Sequence, residues 1–359
     1  MQLIMHNTQI VPNLSSASRR NFLASAGSTL FLPAHLLGRG RAAPPSEKMN
    51  VAFIGIGGGY GNRALQELAS QNVVAICDVD WRTRAEQHSN FAPAIEIAAR
   101  HPGVKRFDDW RRMLAEMEKN IDAVVVCTPD HTHAIQSITA MKMGKHVFCE
   151  KPLAHSIDEV RAMMKAARKY KKVATQTGVQ GHASEDLRSI VEWVRDGAIG
   201  DVKEVHLFEG ARERAAANRP RRSIYESIAH VNDEIPIPPD VKWDLWLGPA
   251  RERPYNPMYL PIRWRSWLDF GTGILGDHGP HYIDPVLWAL DLQFPETIEA
   301  ETDPEYDPEK NNQTFPMMSI VRYTFPARGA KPPVSLTWHA NHMPPWPSYI
   351  KPEDKLPTG

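Results

Sequence analysis

Cysteine is scarce in this chain, with 3 among 359 residues. Each one (Cys77, Cys127, Cys149) closes an apolar run, and an odd number so placed reads as small buried hydrophobes, not as a disulfide framework. An excess of one charge is also missing. Lys plus Arg and Asp plus Glu both total 42, the formal net charge is +0, and no long basic run follows residue 50. That argues against a nucleic-acid partner, which needs a basic surface. No uninterrupted apolar run is long enough for a stable membrane span. What is present is a 42% hydrophobic content, ordinary for a globular protein, in a chain long enough to make two domains the prior.

The first 45 residues differ from the rest. Ser18-Arg19-Arg20-Asn21-Phe22-Leu23 leads into a small-residue and apolar stretch ending at Leu37, followed by Gly38-Arg39-Gly40-Arg41-Ala42-Ala43-Pro44-Pro45. This segment, 1–45, resembles a twin-arginine export signal, with processing expected near residues 40 to 45. The expected location is therefore the periplasm, or the cytoplasm if the signal does not function. Such a route carries folded proteins, so a cofactor could be loaded before export and disulfides would not be needed. The segment contains no cysteine, which argues against a lipid anchor.

From 49 to 175 the pattern is that of a nucleotide domain. Val51 to Ile54 reads as a strand that runs into a glycine-rich turn and then a helix with Ala64, Leu65 and Leu68 inward, the context a dinucleotide fingerprint requires. Gly55 suits the tight turn, and Gly57, with Gly58 and Gly59 beside it, allows backbone to approach a pyrophosphate held by the helix amides. Tyr60 stands where the third glycine of G-x-G-x-x-G belongs and Gly61 follows one residue later, so which glycine packs helix on strand stays open. Asp78 ends the next strand, 23 residues after Gly55, where a carboxylate accepts ribose hydroxyls and disfavours a 2′-phosphate. NAD is thus expected over NADP, a choice that Arg82 and Arg84 would soften. A helix N-cap is the plainer reading of Asp78. The alternation continues with a helix from Trp81 to Arg100, a strand at Val104 to Phe107, a helix from Asp108 to Lys119 and the strand before Thr128-Pro129. A helix from His131 to Met143, the strand His146 to Cys149, a helix from Ile157 to Tyr170 and a strand at Val173 to Thr175 complete it. This predicts an α/β fold with a doubly wound parallel sheet, whose ligands lie beyond the carboxyl ends of the strands. Thr128, Pro129, Glu150 and Lys151 sit at such ends.

Two segments, "CTPDHTHAIQSITAMKMGKHVFCEKPLAHS" and "GTGILGDHGPHYIDPVLWAL", resemble the signatures of the glucose-fructose oxidoreductase and inositol dehydrogenase family (Gfo/Idh/MocA), in a match running from about Asn50 to Leu292. The resemblance implies a Rossmann domain followed by an α/β domain with an open mixed sheet (here 176–359). It also implies NAD(P)-dependent oxidation or reduction of a hydroxyl on a sugar or cyclitol. By position it assigns Lys151 to the reacting hydroxyl, Asp277 and His281 to its proton, His133 to the nicotinamide pocket, and Gln180 and His182 to the substrate side. A homo-oligomer is expected.

The chemistry is consistent with those roles. Hydride departure from a secondary alcohol needs a base near the O–H, and an imidazole with a carboxylate on its other nitrogen serves at neutral pH. His281 is the candidate base, Lys151 the electrostatic anchor and Asp277 the orienter, with Asp277 and His281, four apart, sharing a face if Gly279-Pro280 starts a helix continued by Tyr282 to Leu290. His278 competes for the base. Asp130-His131-Thr132-His133 lacks the spacing of a closed metal site, and no metal is expected; Asp130 reads as a helix cap. Arg263 and Trp264, with Arg265 and Trp267, offer sugar-binding groups, although tryptophans of an α/β domain are more often core. Candidate second-domain strands at Val202 to Glu209, Thr297 to Glu301, Met317 to Phe325 and Val334 to His339 are fewer than the resemblance implies, and the tail is proline-rich, so a truncated carboxyl-terminal domain is expected. The leading function is a dehydrogenase or reductase. The alternatives are an NAD-retaining glycosidase, lyase or epimerase, and a catalytically silent relative.

Overall fold

The computed structural model describes residues 47–87, 90–209, 234–304 and 306–342. The Arg19-Arg20 segment and the tail from residue 343 lie outside them. Six short strands, β1 (Asn50–Ile54), β2 (Asn72–Cys77), β3 (Lys105–Phe107), β4 (Ala123–Val126), β5 (His146–Cys149) and β6 (Thr175–Thr177), form one sheet in the order β3-β2-β1-β4-β5-β6, parallel at every pairing. The connecting helices are α1 (Gly58–Glu67), α2 (Arg84–Gln87), α3 (Ala94–Ala99), α4 (Trp110–Glu116), α5 (Asp130–Lys142) and α6 (Ile157–Lys169). Covering both faces is what lets β1 and β4 be apolar at successive positions: Ala52 and Val124 join one core cluster, Phe53 and Val125 the other. Strand order reverses between β1 and β4, which opens a crevice at their carboxyl ends.

The helix expected from Trp81 to Arg100 is instead the two short pieces α2 and α3. Pro93 takes an extended conformation (φ −74°, ψ 158°) at the start of α3, and a proline there cannot continue a preceding helix. By contrast α6 begins where its sequence says it should, on a capping box in which Ser156 and Glu159 satisfy each other's backbone amides.

The second sheet holds β7 (Glu204–Glu209), β8 (Thr297–Thr302), β9 (Ser319–Phe325) and β10 (Val334–Ala340) in the order β7-β10-β9-β8. It is mixed: β10 runs parallel to β7 and antiparallel to β9. Two helices, α7 (Glu185–Arg195) and, beyond the short α8 (Trp243–Leu247), α9 (Gly273–Leu290), pack on each other. Helix α9 also packs on the sheet through Ile274, which clusters with Val321 and Trp338. It starts at Gly273, well before the Gly279-Pro280 start expected, and carries Pro280 and Pro285 inside it. Each proline removes one backbone hydrogen bond, and burial of Ile274, Asp277, Gly279 and Ala289 holds the helix despite that loss.

Between α8 and α9 lies an aromatic lobe whose core contains Trp243, Trp246, Tyr255, Tyr259, Trp264, Trp267 and Phe270. Trp243 and Trp246 stack with centroids 4.8 Å apart. The lobe is stitched to the loop after β2. Trp81 N donates to Asp240 O (2.9 Å), and Lys242 N donates to Val79 O (2.8 Å). Among the described residues no helix is long and apolar enough to cross a membrane.

Candidate active site

The glycine turn after β1 leaves no room for side chains where it matters. Gly55 has φ +80°, and a Cβ there would lie 2.6 Å from the Cys127 carbonyl oxygen. A Cβ on Gly61 would lie 2.1 Å from the Gly55 carbonyl oxygen and 2.8 Å from Ile56 Cα. Gly61 is therefore the glycine that seats α1 on β1, and the fingerprint is lengthened by one residue with Tyr60 projecting from it. Gly55, Gly57, Gly58, Gly59 and Tyr60 all line a cleft that runs along the crevice.

Asp78 is at the floor of this cleft. Its Oδ2 accepts from the amides of Ile56 (2.9 Å) and Gly57 (2.8 Å), and its Oδ1 from those of Val79 (2.8 Å) and Asp80 (3.1 Å). The carboxylate thus ties the glycine turn to the end of β2, a role the sequence reading did not foresee, and it does not cap a helix. Burial pushes its pKa up and the amide of Gly57 pulls it back. Arg82 and Arg84 do not offset it. Arg82 is buried in a two-pronged pair with Asp80 and donates to Tyr255 Oη (3.1 Å), while Arg84 pairs with Glu96 at 2.8 Å. A glycine turn with no space for a Cβ at Gly55 or Gly61, an open helix amino terminus and an acid behind it fit the diphosphate and ribose of a dinucleotide.

At the end of β4, Thr128 and Pro129 line the cleft, and Thr128 Oγ1 donates to Gln136 Oε1 (2.8 Å). Just beneath, His133 is 1% exposed, with Nδ1 2.8 Å from Pro152 O and Nε2 2.7 Å from Thr128 O. Carbonyl oxygens only accept, so a neutral ring satisfies one of the two contacts and a ring protonated on both nitrogens satisfies both, joining the two cleft turns. Burial opposes that charge, and Cys149, Asp130 and the Pro152 carbonyl outweigh it, raising the pKa to about 10. His131 also meets two carbonyls, Trp246 O at 3.0 Å and Phe270 O at 3.3 Å, but burial dominates there and lowers it to about 4. Asp130 does not cap α5. It accepts from Thr272 Oγ1 (2.8 Å), and burial raises its carboxyl to about 6.

At the end of β5, Lys151 is 6% exposed and forms an ion pair with the Asp277 carboxylate; its Nζ also donates to Asp277 O (2.9 Å). Asp277 Oδ2 lies 2.9 Å from Arg265 Nε. The Tyr60 ring is 5.4 Å from Lys151 Nζ and 6.0 Å from the Arg265 guanidinium. Asp277 is therefore clamped between two cations, and its charge acts on His281 in the direction that favours the protonated ring. His281 is half-buried, its pKa lowered by burial and then by Lys151 and His278. Among the described residues, His278 is the imidazole that lines the cleft. Its Nδ1 is 3.1 Å from Glu209 Oε1, at the end of β7, and Glu209 Oε2 accepts from Tyr282 Oη at 2.6 Å. Glu209 sits in no spaced motif and carries no sequence signal, and Tyr60 stands out in the sequence only as the residue in the third-glycine position, not as a ring facing Lys151.

The expected substrate-side residues are divided. Trp264 and Arg265 line the cleft, with the Arg265 guanidinium 4.3 Å from the Trp264 ring, and Trp264 is also core. Arg263 instead reaches Met258 Sδ (3.5 Å). Gln180 lines a neighbouring pocket that shares Tyr60 and Glu150 with the cleft. His182 stacks on Trp288 at 4.2 Å and pairs with Asp284 at 2.8 Å, away from both.

Two family models match the chain: "Oxidoreductase family, NAD-binding Rossmann fold" over residues 49–178 and "Oxidoreductase family, C-terminal alpha/beta domain" over 225–325. Among curated proteins, Glycosyl hydrolase family 109 protein 1 of Akkermansia muciniphila is 30% identical over 171 residues, which is 45% of this chain and 34% of that protein. Inositol 2-dehydrogenase of Salmonella typhimurium is 26% identical over 188 residues, 52% of each. The chain thus spans between a third and about half of the length of these relatives. Among solved structures, GenD2 from gentamicin A biosynthesis in complex with NAD superposes with a TM-score of 0.55 over 85% of this chain and 69% of that one at 18% identity, a likeness of fold.

Proposed function

We propose, from the premise that the chain belongs to the Gfo/Idh/MocA oxidoreductase family, that it binds NAD in the glycine-turn cleft and exchanges a hydride with a secondary hydroxyl of a sugar or cyclitol. One observation carries this reading: the Lys151–Asp277 ion pair joins the end of β5 to helix α9 at the mouth of the nucleotide crevice. NAD supplies the hydride acceptor when bound. The protein supplies the rest. Lys151, held by Asp277, offers its third ammonium proton to the reacting oxygen and stabilises the alkoxide as it develops, while a histidine of α9 takes the O–H proton. The arene of Trp264 and the guanidinium of Arg265 suit a polyhydroxylated ring. NAD is preferred to NADP because Asp78 disfavours a second phosphate and the arginines behind it are committed to Asp80 and Glu96.

A second reading, in which NAD stays bound and the substrate is oxidised transiently on the way to glycoside cleavage, elimination or epimerisation, is favoured by the likeness to the family 109 glycosyl hydrolase. Full-length protein incubated with NAD, myo-inositol and a set of D-glucosides tests both. Net NADH supports the dehydrogenase, sugar release without net NADH supports the second, and failure to bind NAD overturns both. Export in the folded state through the Arg19-Arg20 segment and assembly into a homo-oligomer belong to the same proposal. Cell fractionation and light scattering test them.

A further inference from the structure

The proton path has a feature that the family signature does not supply. His278 follows Asp277 at the amino-terminal end of α9, lines the cleft, and its side chain is 31% exposed. Its Nδ1 lies 3.1 Å from Glu209 Oε1, across from β7. Carboxylate oxygen accepts, so Nδ1 carries the hydrogen, and in the neutral ring Nε2 then carries the lone pair. Nε2 lies 3.8 Å from Asp277 Oδ2, which places it beside the Lys151–Asp277 pair where the reacting hydroxyl is expected.

Resting on the hydride-transfer reading above, we propose that His278 is the catalytic base of this chain and Glu209 its positioning residue. As the substrate C–H hydride leaves for the cofactor, the O–H proton passes to Nε2, the C=O bond forms, and the imidazolium is balanced by Glu209 on one side and Asp277 on the other. Position and contact decide between the two histidines of the helix, since His278 lines the cleft with a carboxylate on its Nδ1 side. The charged and titratable groups around His278 are Glu209 from β7 and Asp277 and His281 from its own helix, with Lys151 and Arg265 bound to Asp277 and Tyr282 bonded to the far oxygen of Glu209. A proton on His278 is bonded directly to a carboxylate. On His281, burial, Lys151 and His278 act against a charge and Asp277 acts for it. The Glu209 carboxyl is correspondingly held below the usual carboxylate range, chiefly by its bond to His278.

Full-length protein labelled with nitrogen-15 histidine reports the tautomer directly, with His278→Gln assigning the signal. The expected spectrum at mildly alkaline pH has Nδ1 protonated and Nε2 unprotonated, shifting toward the opposite tautomer in Glu209→Gln. An Nε2-protonated ring in the unsubstituted protein overturns the assignment, whatever the activity. On any substrate of the panel that is turned over, His278→Gln is expected to lower kcat by about 100-fold or more, with NAD affinity within a few-fold. A larger loss in His281→Gln than in His278→Gln also overturns it. Absence of turnover across the panel counts against the sugar or cyclitol reading and leaves the tautomer spectrum to decide the dyad.

Discussion

Gly61→Ala separates two opposing effects at one position. Within a helix, alanine is favoured over glycine by about 1 kcal/mol. Here the added Cβ would lie 2.1 Å from the Gly55 carbonyl oxygen and 2.8 Å from Ile56 Cα, both backbone atoms of the turn itself. Ordinary contact begins at 3.4 Å, so α1 must retreat from β1 by about an ångström, and overpacking of this kind costs about 3 kcal/mol. The expected net result is a loss of about 2 kcal/mol in urea unfolding, seen as a lower midpoint at unchanged slope. NAD affinity, measured by calorimetry, should fall with it because the same turn cradles the diphosphate. Gly58→Ala is the control. Its φ is +78° with no atom within 4 Å, so it should cost only the left-handed strain of about 1 kcal/mol. A Gly61→Ala protein as stable as the unsubstituted chain would refute the assignment of Gly61 as the packing glycine.

Lys151→Ala should abolish turnover, leave NAD affinity within a few-fold, and cost about 3 kcal/mol, because the buried Asp277 carboxylate loses the ammonium paired with it; survival of activity in a steady-state assay would remove the lysine from the mechanism. Asp78→Ala frees four backbone amides and should weaken NAD at least tenfold while destabilising the turn. Asp78→Asn, which retains acceptor capacity on one oxygen, should fall between, as titration calorimetry would show. His133 is predicted to make stability depend on alkaline pH. Its folded pKa of about 10 lies above the 6.5 of the unfolded ring, so its contribution is fully present below pH 6.5 and is lost as pH rises through 10. The gap corresponds to at most about 5 kcal/mol. Unfolding of the His133→Gln variant, followed from neutral to alkaline pH, should lack this decline; parallel curves for the two proteins would contradict an imidazolium.

The parallel, doubly wound sheet could be expected from sequence because the central strands of a two-sided sheet are apolar at successive positions, as in Ala123–Val126, whereas the edge strands Lys105–Phe107 and Thr175–Thr177 are polar and carry no such pattern. Pro93 broke a helix whose apolar period ran straight through it, and Pro280 failed to start one, since burial of Ile274 and Asp277 on the helix before it outweighed the proline signal. Lys151 and Asp277 could be located from motifs, but their pairing could not, being 126 residues apart in sequence. Glu209 is the clearest omission. It ends a half-buried strand with no local spacing, and only the close approach of β7 to α9 gives it meaning.

The stitching of the β2 loop to the aromatic lobe bears on how the molecule melts. Val79 and Trp81 bond the backbone of Lys242 and Asp240, Arg82 reaches Tyr255, and His131 at the head of α5 meets the carbonyls of Trp246 and Phe270. The nucleotide half is thereby joined to the lobe at two separate elements, and tearing them apart would uncover Trp246 and Phe270 together with a buried guanidinium. The cheapest route out of the native state is then a single cooperative transition, with both halves lost at once, in place of a hinge that swings one lobe free.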